Sequence, residues 1–250
     1  AGLVMSGGLG FIVWEDILNY RRTRKIRNYS RIILITTISL WAGGTILFGL
    51  IEGANGTFDH LPLGGRIVNY FFLSVTPRTA GFANIDYANL DQGSIFLTIL
   101  LMFIGASSGS TGGGIKVTTL IVILVVLYRS MHNDTNHIFK RSISSDTVRR
   151  AFFVFGAGII ISTVAAFILL NTETIPGGYG IEYILIEVIS CISTVGLTMG
   201  LTPNLTTIGK FVLILLMLIG RVGLLTFLWS FAGKKPKSRI KYADMNILVG

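Results

Sequence analysis

The strongest constraint in this sequence is internal repetition: Leu101-Met-Phe-Ile-Gly105 recurs as Leu216-Met-Leu-Ile-Gly220, 115 positions later. At the same 115-residue offset, Thr79-Ala-Gly81-Phe82 recurs as Thr194-Val-Gly196-Leu197. Two copies of one unit share a register, each with a glycine turn ahead of a long apolar segment that glycine itself interrupts. In a membrane chain this pattern is the signature of a pore built from repeats.

Composition puts the repeats in a bilayer. The chain is 51% apolar with a mean hydropathy of +0.70 and only 13% charged residues, against about 25% in an ordinary soluble domain. Its 30 glycines suit close helix packing and turns that stay inside protein or line a cavity. The lone Cys191 excludes a disulfide within the chain and a four-cysteine zinc site, and leaves the redox compartment open.

A helix needs about 20 apolar residues to cross a bilayer. Segments 31–51, 93–127, 151–170 and 208–231 reach that length. The second is too long for one span and holds a run of small residues in its middle. Stretches 67–75 and 181–192 are too short to span and read as re-entrant half-helices. The expected fold is an all-α membrane protein of tandem repeats: transmembrane helix, re-entrant pore helix with filter loop, transmembrane helix, the second helices broken.

Basic runs at 21–27, 129–150 and 234–241 alternate with connections carrying Glu52, Asp59, Asp86, Asp91, Glu173 and Glu182. The positive-inside rule makes the first set cytoplasmic and the second external. A net charge of +9 would suggest nucleic acid in a soluble protein, but here the cations sit at span edges, where anionic headgroups or a cytosolic partner explain them. The acidic connections would concentrate cations at an outer mouth. Segment 1–14 leads into the acids Glu15 and Asp16 and only then into the basic run, the reverse of a signal peptide. The segment reads as the inner end of a span that begins upstream, in a longer protein. The expected divisions are 1–16, the end of a preceding repeat's last helix; 17–30, a basic connection; 31–131, one pore repeat; 132–150, a connection; 151–232, a second pore repeat; and 233–250, a cytoplasmic tail.

A half-helix ending at the bilayer midplane leaves carbonyls unsatisfied, and a dehydrated cation can be their partner. Thr79, Ala80, Gly81 and Phe82, and Thr194, Val195, Gly196 and Leu197, can line an axis with backbone oxygen, since glycine accepts dihedral angles that turn carbonyls inward. Thr76 and Ser193 add hydroxyls. Neither motif holds a carboxylate, so neutral oxygen rings suit a weakly hydrated monovalent cation. One Thr-x-Gly triad alone is an ordinary turn; repetition in register carries the inference.

The run Gly105, Ala106, Ser107, Ser108, Gly109, Ser110, Thr111, Gly112, Gly113 and Gly114 fails as a phosphate loop, because Lys116 comes after Ile115 and precedes Val117. It reads either as a mobile obstruction across a conduction path or as a kink that permits close packing. Gly7-Gly-Leu-Gly10 reads as a shorter break of the same kind. Arg221 takes the repeat position of Ala106. It reads as an electrostatic barrier below a cation filter that also holds the glycine run, or as a snorkelling or salt-bridged residue, with Glu15 or Glu187 as partner. His132, His137 and His60 lie in connections and assemble no metal or catalytic site. The chain is not expected to be an enzyme.

The segments Ser74-Val-Thr-Pro-Arg-Thr-Ala-Gly-Phe82, Gly105 to Lys116, Ser193-Thr-Val-Gly-Leu197 and Gly220-Arg-Val-Gly223 resemble the third and fourth repeats of the Trk/Ktr/HKT superfamily of cation transporters. The closing segment 241–250 is most similar to the bacterial Ktr potassium-uptake membrane subunit. The resemblance implies four repeats around one pore, with Gly81 and Gly196 as filter glycines, potassium at Thr79, Ala80, Gly81, Thr194, Val195 and Gly196, the 105–114 run as gating loop and Arg221 as the basic residue beneath the filter. It also implies a multi-pass protein of the cell membrane, a homodimer seated on a cytosolic ring of nucleotide-binding subunits, with ATP and ADP acting on that ring and no cofactor in this chain. The first two repeats are missing from the sequence, so potassium selectivity is inferred from half a filter. Sodium permeation or coupling, and a non-conducting assembly subunit, stay open.

Overall fold

The computed structural model describes residues 1–110, 112–132, 137–138, 141–224 and 226–227. The expectations placed on Thr111 and on the tail 233–250 lie outside the described residues.

Two short helices open the chain, α1 (Gly2–Gly8) and α2 (Phe11–Thr23). They are separated at Leu9 and Gly10, and Gly10 takes φ 79°, a left-handed value that glycine adopts without a Cβ penalty. The break expected at 7–10 is therefore present. Helix α2 runs beyond the expected boundary at 16, and its last turn carries Arg21 and Arg22, favourable charges for a helix C-terminus.

The first unit consists of α3 (Asn28–Asn55), α4 (Leu63–Val75), α5 (Gln92–Phe103) and α6 (Val117–Met131). The second consists of α7 (Ser145–Thr172), α8 (Glu182–Ile192) and α9 (Thr207–Val222). A small hairpin of β1 (His137–Ile138) and β2 (Arg141–Ser142) lies between them. Helices α3 and α7 have 28 residues each and are apolar enough to cross a membrane; at 1.5 Å per residue each is about 42 Å long. Helices α4 and α8, of 13 and 11 residues, reach at most about 20 Å, as expected of half-helices.

The starts of α5 and α9 are set by matched capping residues. The Asp91 carboxylate accepts the Gly93 N–H at 2.8 Å, and 115 positions on, the Thr206 hydroxyl accepts the Gly209 N–H at 3.1 Å. Each cap is itself held by a buried glutamate at the end of its unit's first long helix. Glu52, fully buried, accepts from the Asp91 N–H at 3.2 Å and from the Thr57 hydroxyl. Glu173 accepts from the Thr206 N–H at 2.9 Å and from the Thr172 hydroxyl at 3.1 Å. Two of the six acids expected at an outer mouth, Glu52 and Glu173, are thereby taken out of solvent, while Asp59, Asp86 and Asp91 stay exposed and Glu182 half-exposed. Asp59 pairs with Arg66 at 2.6 Å, Asp86 and Asp91 cap helices, and Glu182 accepts from the Gly180 N–H.

Helix α4 packs on α3, while α8 is enclosed by α5, α7 and α9. Accordingly α8 is buried along nearly its whole length, whereas in α4 only Leu73, Ser74 and Val75 are buried. The apolar core joins Phe48, Leu73, Tyr87 and Met102 of the first unit to Leu169, Ile184, Ile186 and Ile192 of the second. The ends of α4 and α8 are thus brought to one place.

Candidate functional site

At that place each short helix ends in a left-handed turn. Thr79 has φ 69° and Gly81 φ 69°; Thr194 has φ 54° and Gly196 φ 96°. Among the described residues Arg24 is the one other non-glycine residue with positive φ. A β-branched residue pays in steric strain for that conformation and keeps it only where its surroundings impose it. In the first loop the Ala80 N–H donates to Thr76 O at 3.2 Å and the Thr76 hydroxyl to Phe82 O at 2.5 Å. In the second, the Val195 N–H donates to Ser190 O at 2.9 Å and the Gly196 N–H to the Ser190 hydroxyl at 3.0 Å.

The two loops meet backbone to backbone. A Cβ on Gly81 would collide with Val195 O, while one on Gly196 would lie 3.8 Å from Gly81 Cα, an ordinary contact. Gly81 is therefore demanded by both space and φ, Gly196 by φ alone. Phe82 is exposed and Leu197 buried, so the fourth positions of the two motifs differ in surroundings. No carboxylate belongs to either loop, and the groups they offer are neutral oxygens.

The glycine run leaves the end of α5 as a closed loop. Its neck is a parallel bridge between Ile104 and Ile115, with Gly105 N–H donating to Ile115 O at 2.9 Å and Ile115 N–H to Phe103 O at 3.3 Å. A Cβ on Gly105 would meet Gly113 O, so the neck closes only around glycine. The far side of the loop lies against both turns. Gly112 abuts the Thr79 side chain, Gly113 abuts Thr194 and donates its N–H to Thr194 Oγ1 at 3.0 Å, and Gly114 abuts Ser193. The other side rests on the α1–α2 break: the Ser107 N–H donates to Gly8 O at 3.1 Å, the Ser107 hydroxyl to Leu9 O at 2.5 Å, and the Phe11 N–H to Gly109 O at 3.3 Å. Ala106 is buried, Ser108 Oγ pairs with Thr118 Oγ1 at 2.9 Å, and Ser110 donates to Ser107 O at 2.6 Å.

Arg221, near the end of α9, is exposed and borders two cavities. One, of about 520 Å³, is lined by Glu187, Ser190, Thr194, Gly196 and Leu197; the other, of about 500 Å³, by Ser108, Ser110, Gly112, Gly114 and Lys116. Arg221 thus borders both the space beside the Thr194–Leu197 turn and the space beside the glycine loop. Of the two carboxylates expected near it, Glu187 lines the first cavity with it and accepts from the Thr198 and Thr202 hydroxyls, while Glu15 pairs with Arg27 at 2.6 Å.

Two cations at this site carried no signal in the repeat pattern. The Lys116 ammonium folds back to donate to Gly112 O. Arg78, 4% exposed, donates from Nη2 to Gly105 O at 3.0 Å. A lysine just after a glycine run, and an arginine directly before a turn threonine, are the sequence hints that could have found them. Among the described residues no group of three or more His, Cys, Asp or Glu side chains could hold a metal ion. His132 is exposed and lies against Tyr128.

Comparison with known proteins places the fold. A family described as cation transport protein, TrkH, matches residues 18–242. The chain belongs to the TrkH cation transport protein family. It is 45% identical over 253 residues to the potassium/sodium uptake protein NtpJ of Enterococcus hirae, covering 100% of this chain and 56% of the relative. To the Ktr system potassium uptake protein B of Bacillus subtilis it is 41% identical over 251 residues, covering 99% and 55%. The crystal structure of the potassium transporter TrkH from Vibrio parahaemolyticus superimposes with a TM-score of 0.71 at 20% identity, covering 91% of this chain and 50% of that one. The all-α multi-pass membrane fold of the TrkH family is thereby shown. The chain spans about half the length of the curated relatives it matches, and these are named as uptake proteins, not as enzymes.

Proposed function

We propose that this chain is the half of a potassium-uptake protein that supplies the third and fourth filter loops and the gate. The observation that carries the reading is the pairing of two left-handed Thr-x-Gly turns, with Gly81 so close to Val195 O that no side chain fits. Backbone oxygens of Thr79, Ala80, Gly81, Thr194, Val195 and Gly196 then replace the hydration shell of potassium in a ring completed by the two repeats outside this sequence. The loop 105–114, pressed on both turns, is the obstruction, and Arg221 beside it opposes cation passage from below. Opening requires the loop to leave Thr79 and Thr194, its two ends held together at the neck of Ile104 and Ile115.

The basic connections face the cytoplasm and Glu52 and Glu173 lie at the external ends. In this reading 31–131 and 151–232 are the pore units. By its family resemblance the parent forms a homodimer on a cytosolic ring whose ATP or ADP state sets the gate. A sodium-permeable or sodium-coupled variant of the same pore is the second reading; a relative of the chain is named a potassium/sodium uptake protein.

The test is cation uptake by the intact parent protein with its cytosolic partner, in a cell lacking its own potassium uptake. Rescue by the parent, lost or opened to sodium in Gly81→Ser and Gly196→Ser, is the expected result. Rescue and selectivity unchanged in both variants would move the filter elsewhere, and no uptake by an expressed parent would favour an assembly subunit.

A further inference from the structure

Arg78 poses a question that the transport reading leaves unanswered. A guanidinium 4% exposed inside an apolar bundle is costly, yet among the described residues its Nε and Nη1 have no hydrogen-bond partner. The side chain borders a cavity of about 10 Å³ shared with Thr37, Trp41 and Ala106, room for about one water molecule. Its one hydrogen bond to the described protein is Nη2 to Gly105 O, at 3.0 Å.

Gly105 is where α5 has just ended. Had the helix continued, the Gly105 carbonyl would accept from an N–H four residues on; with α5 ended at Phe103 that donor is lost, and a cationic side chain can take its place. Arg78 supplies this donor from another element, and its own backbone leads directly into the strained Thr79. The second unit acts as an internal control. The position 115 residues on from Arg78 is Ser193, and there α9 continues helical through Gly220 to Val222. The cationic donor is present where the helix breaks and absent where it does not.

We propose that Arg78 is a positioning residue that ties the Thr79–Phe82 turn to the base of the glycine loop, so that cation selectivity depends on the loop's position. The inference rests on the filter and gate assignments proposed above. Displacing the loop from its closed seat pulls on Gly105 O, and through Arg78 on the backbone conformation of Thr79. The second contact of this kind, Gly113 N–H to Thr194 Oγ1, makes the loop touch both turns at once.

The experiment uses the intact parent reconstituted in vesicles of phosphatidylethanolamine and phosphatidylglycerol, with potassium and sodium fluxes measured separately for wild type, Arg78→Met, Arg78→Gln and Arg78→Lys. The expected result is a fall in the potassium-to-sodium flux ratio of about fivefold or more in Arg78→Met and Arg78→Gln, with most of the ratio restored in Arg78→Lys, which keeps a charged donor. A purely structural role lowers the amount of folded protein and leaves the ratio unchanged, and that outcome in either neutral variant overturns the proposal. If neither neutral variant accumulates, the structure of the wild-type parent with its loop displaced decides: a broken Arg78–Gly105 bond with a changed Thr79 φ supports the tie, and a displaced loop over an unmoved Thr79 overturns it. A wild-type parent that carries no potassium defeats the transport reading itself, whereas a conducting parent with an unchanged ratio in Arg78→Met defeats only this inference.

Discussion

The two units share a register but not a second helix. Both place a left-handed Thr-x-Gly turn after a half-helix, and both cap the next helix 115 residues apart, at Asp91 and Thr206. Then they part: α5 ends at Phe103, ahead of a loop that returns only at Ile115, whereas α9 passes through the matching Ile-Gly pair and stops at Gly223. The shared Ile-Gly pair therefore does not break a helix. The break comes from the residues after the pair, a run of glycine and serine with high conformational entropy to lose in a helix and no side chains to pack, against Arg221-Val222 in the other unit.

Making the first unit resemble the second is the strongest test of that contrast. Replacing 105–114 by an alanine- and leucine-rich segment of equal length is expected to fuse α5 with α6 and abolish control of cation flux in the intact parent. Unchanged flux and unchanged regulation would show that the loop is no gate. Next in size is the pair of turn glycines. Gly81→Ala is expected to abolish uptake and lower thermal stability strongly, because its Cβ meets Val195 O, whereas Gly196→Ala finds space and carries chiefly the left-handed strain of about 1–2 kcal/mol. Equal losses of melting temperature in the two variants would break the asymmetry.

Arg221→Ala is expected to change potassium flux severalfold with little effect on stability, since Arg221 is exposed whereas its counterpart Ala106 is buried; flux equal to wild type removes it as a barrier. The clasps give the smallest effects. Glu52→Gln is expected to cost about 1.5–3 kcal/mol through lost charged hydrogen bonds, measured as a lower unfolding midpoint, and Glu173→Gln less, because Glu173 is not completely buried. The Glu173 carboxyl also carries a pH signature. Burial pushes its pKa up, but hydrogen bonds from Thr206 and Thr172 and the nearby Lys210 charge outweigh this and hold it below the ordinary 4.5. Its folded pKa being depressed, its contribution is complete above the ordinary value and is lost as pH falls through the lowered one. The acid side of the stability profile should therefore be flatter in Glu173→Gln than in the wild type.

The repeat made the helix order, the half-helices and the interruption after Ile104 legible, because each rests on local length, glycine content and hydropathy. Contacts between distant segments were not legible. Nothing in the spacing indicates that Gly113 donates to Thr194, or that Ser107 reaches Gly8. The acidic residues misled for a definite reason: composition counts Glu52 and Glu173 as charges facing water, while the fold uses both as acceptors for helix-start N–H groups. Arg78 was visible in the motif, but its role is set by a carbonyl 27 residues away, exposed only because a helix ends there.

The buried glutamates also have a mechanical meaning. Each fastens the first and second long helices of a unit at one end, the end remote from the glycine loop, while among the described residues no corresponding glutamate clasp joins α3 to α6 at the other. Were α5 to swing against α3, the clasped end would be the fixed point, and displacement would grow along α5 toward Phe103, where the helix gives way to the glycine loop.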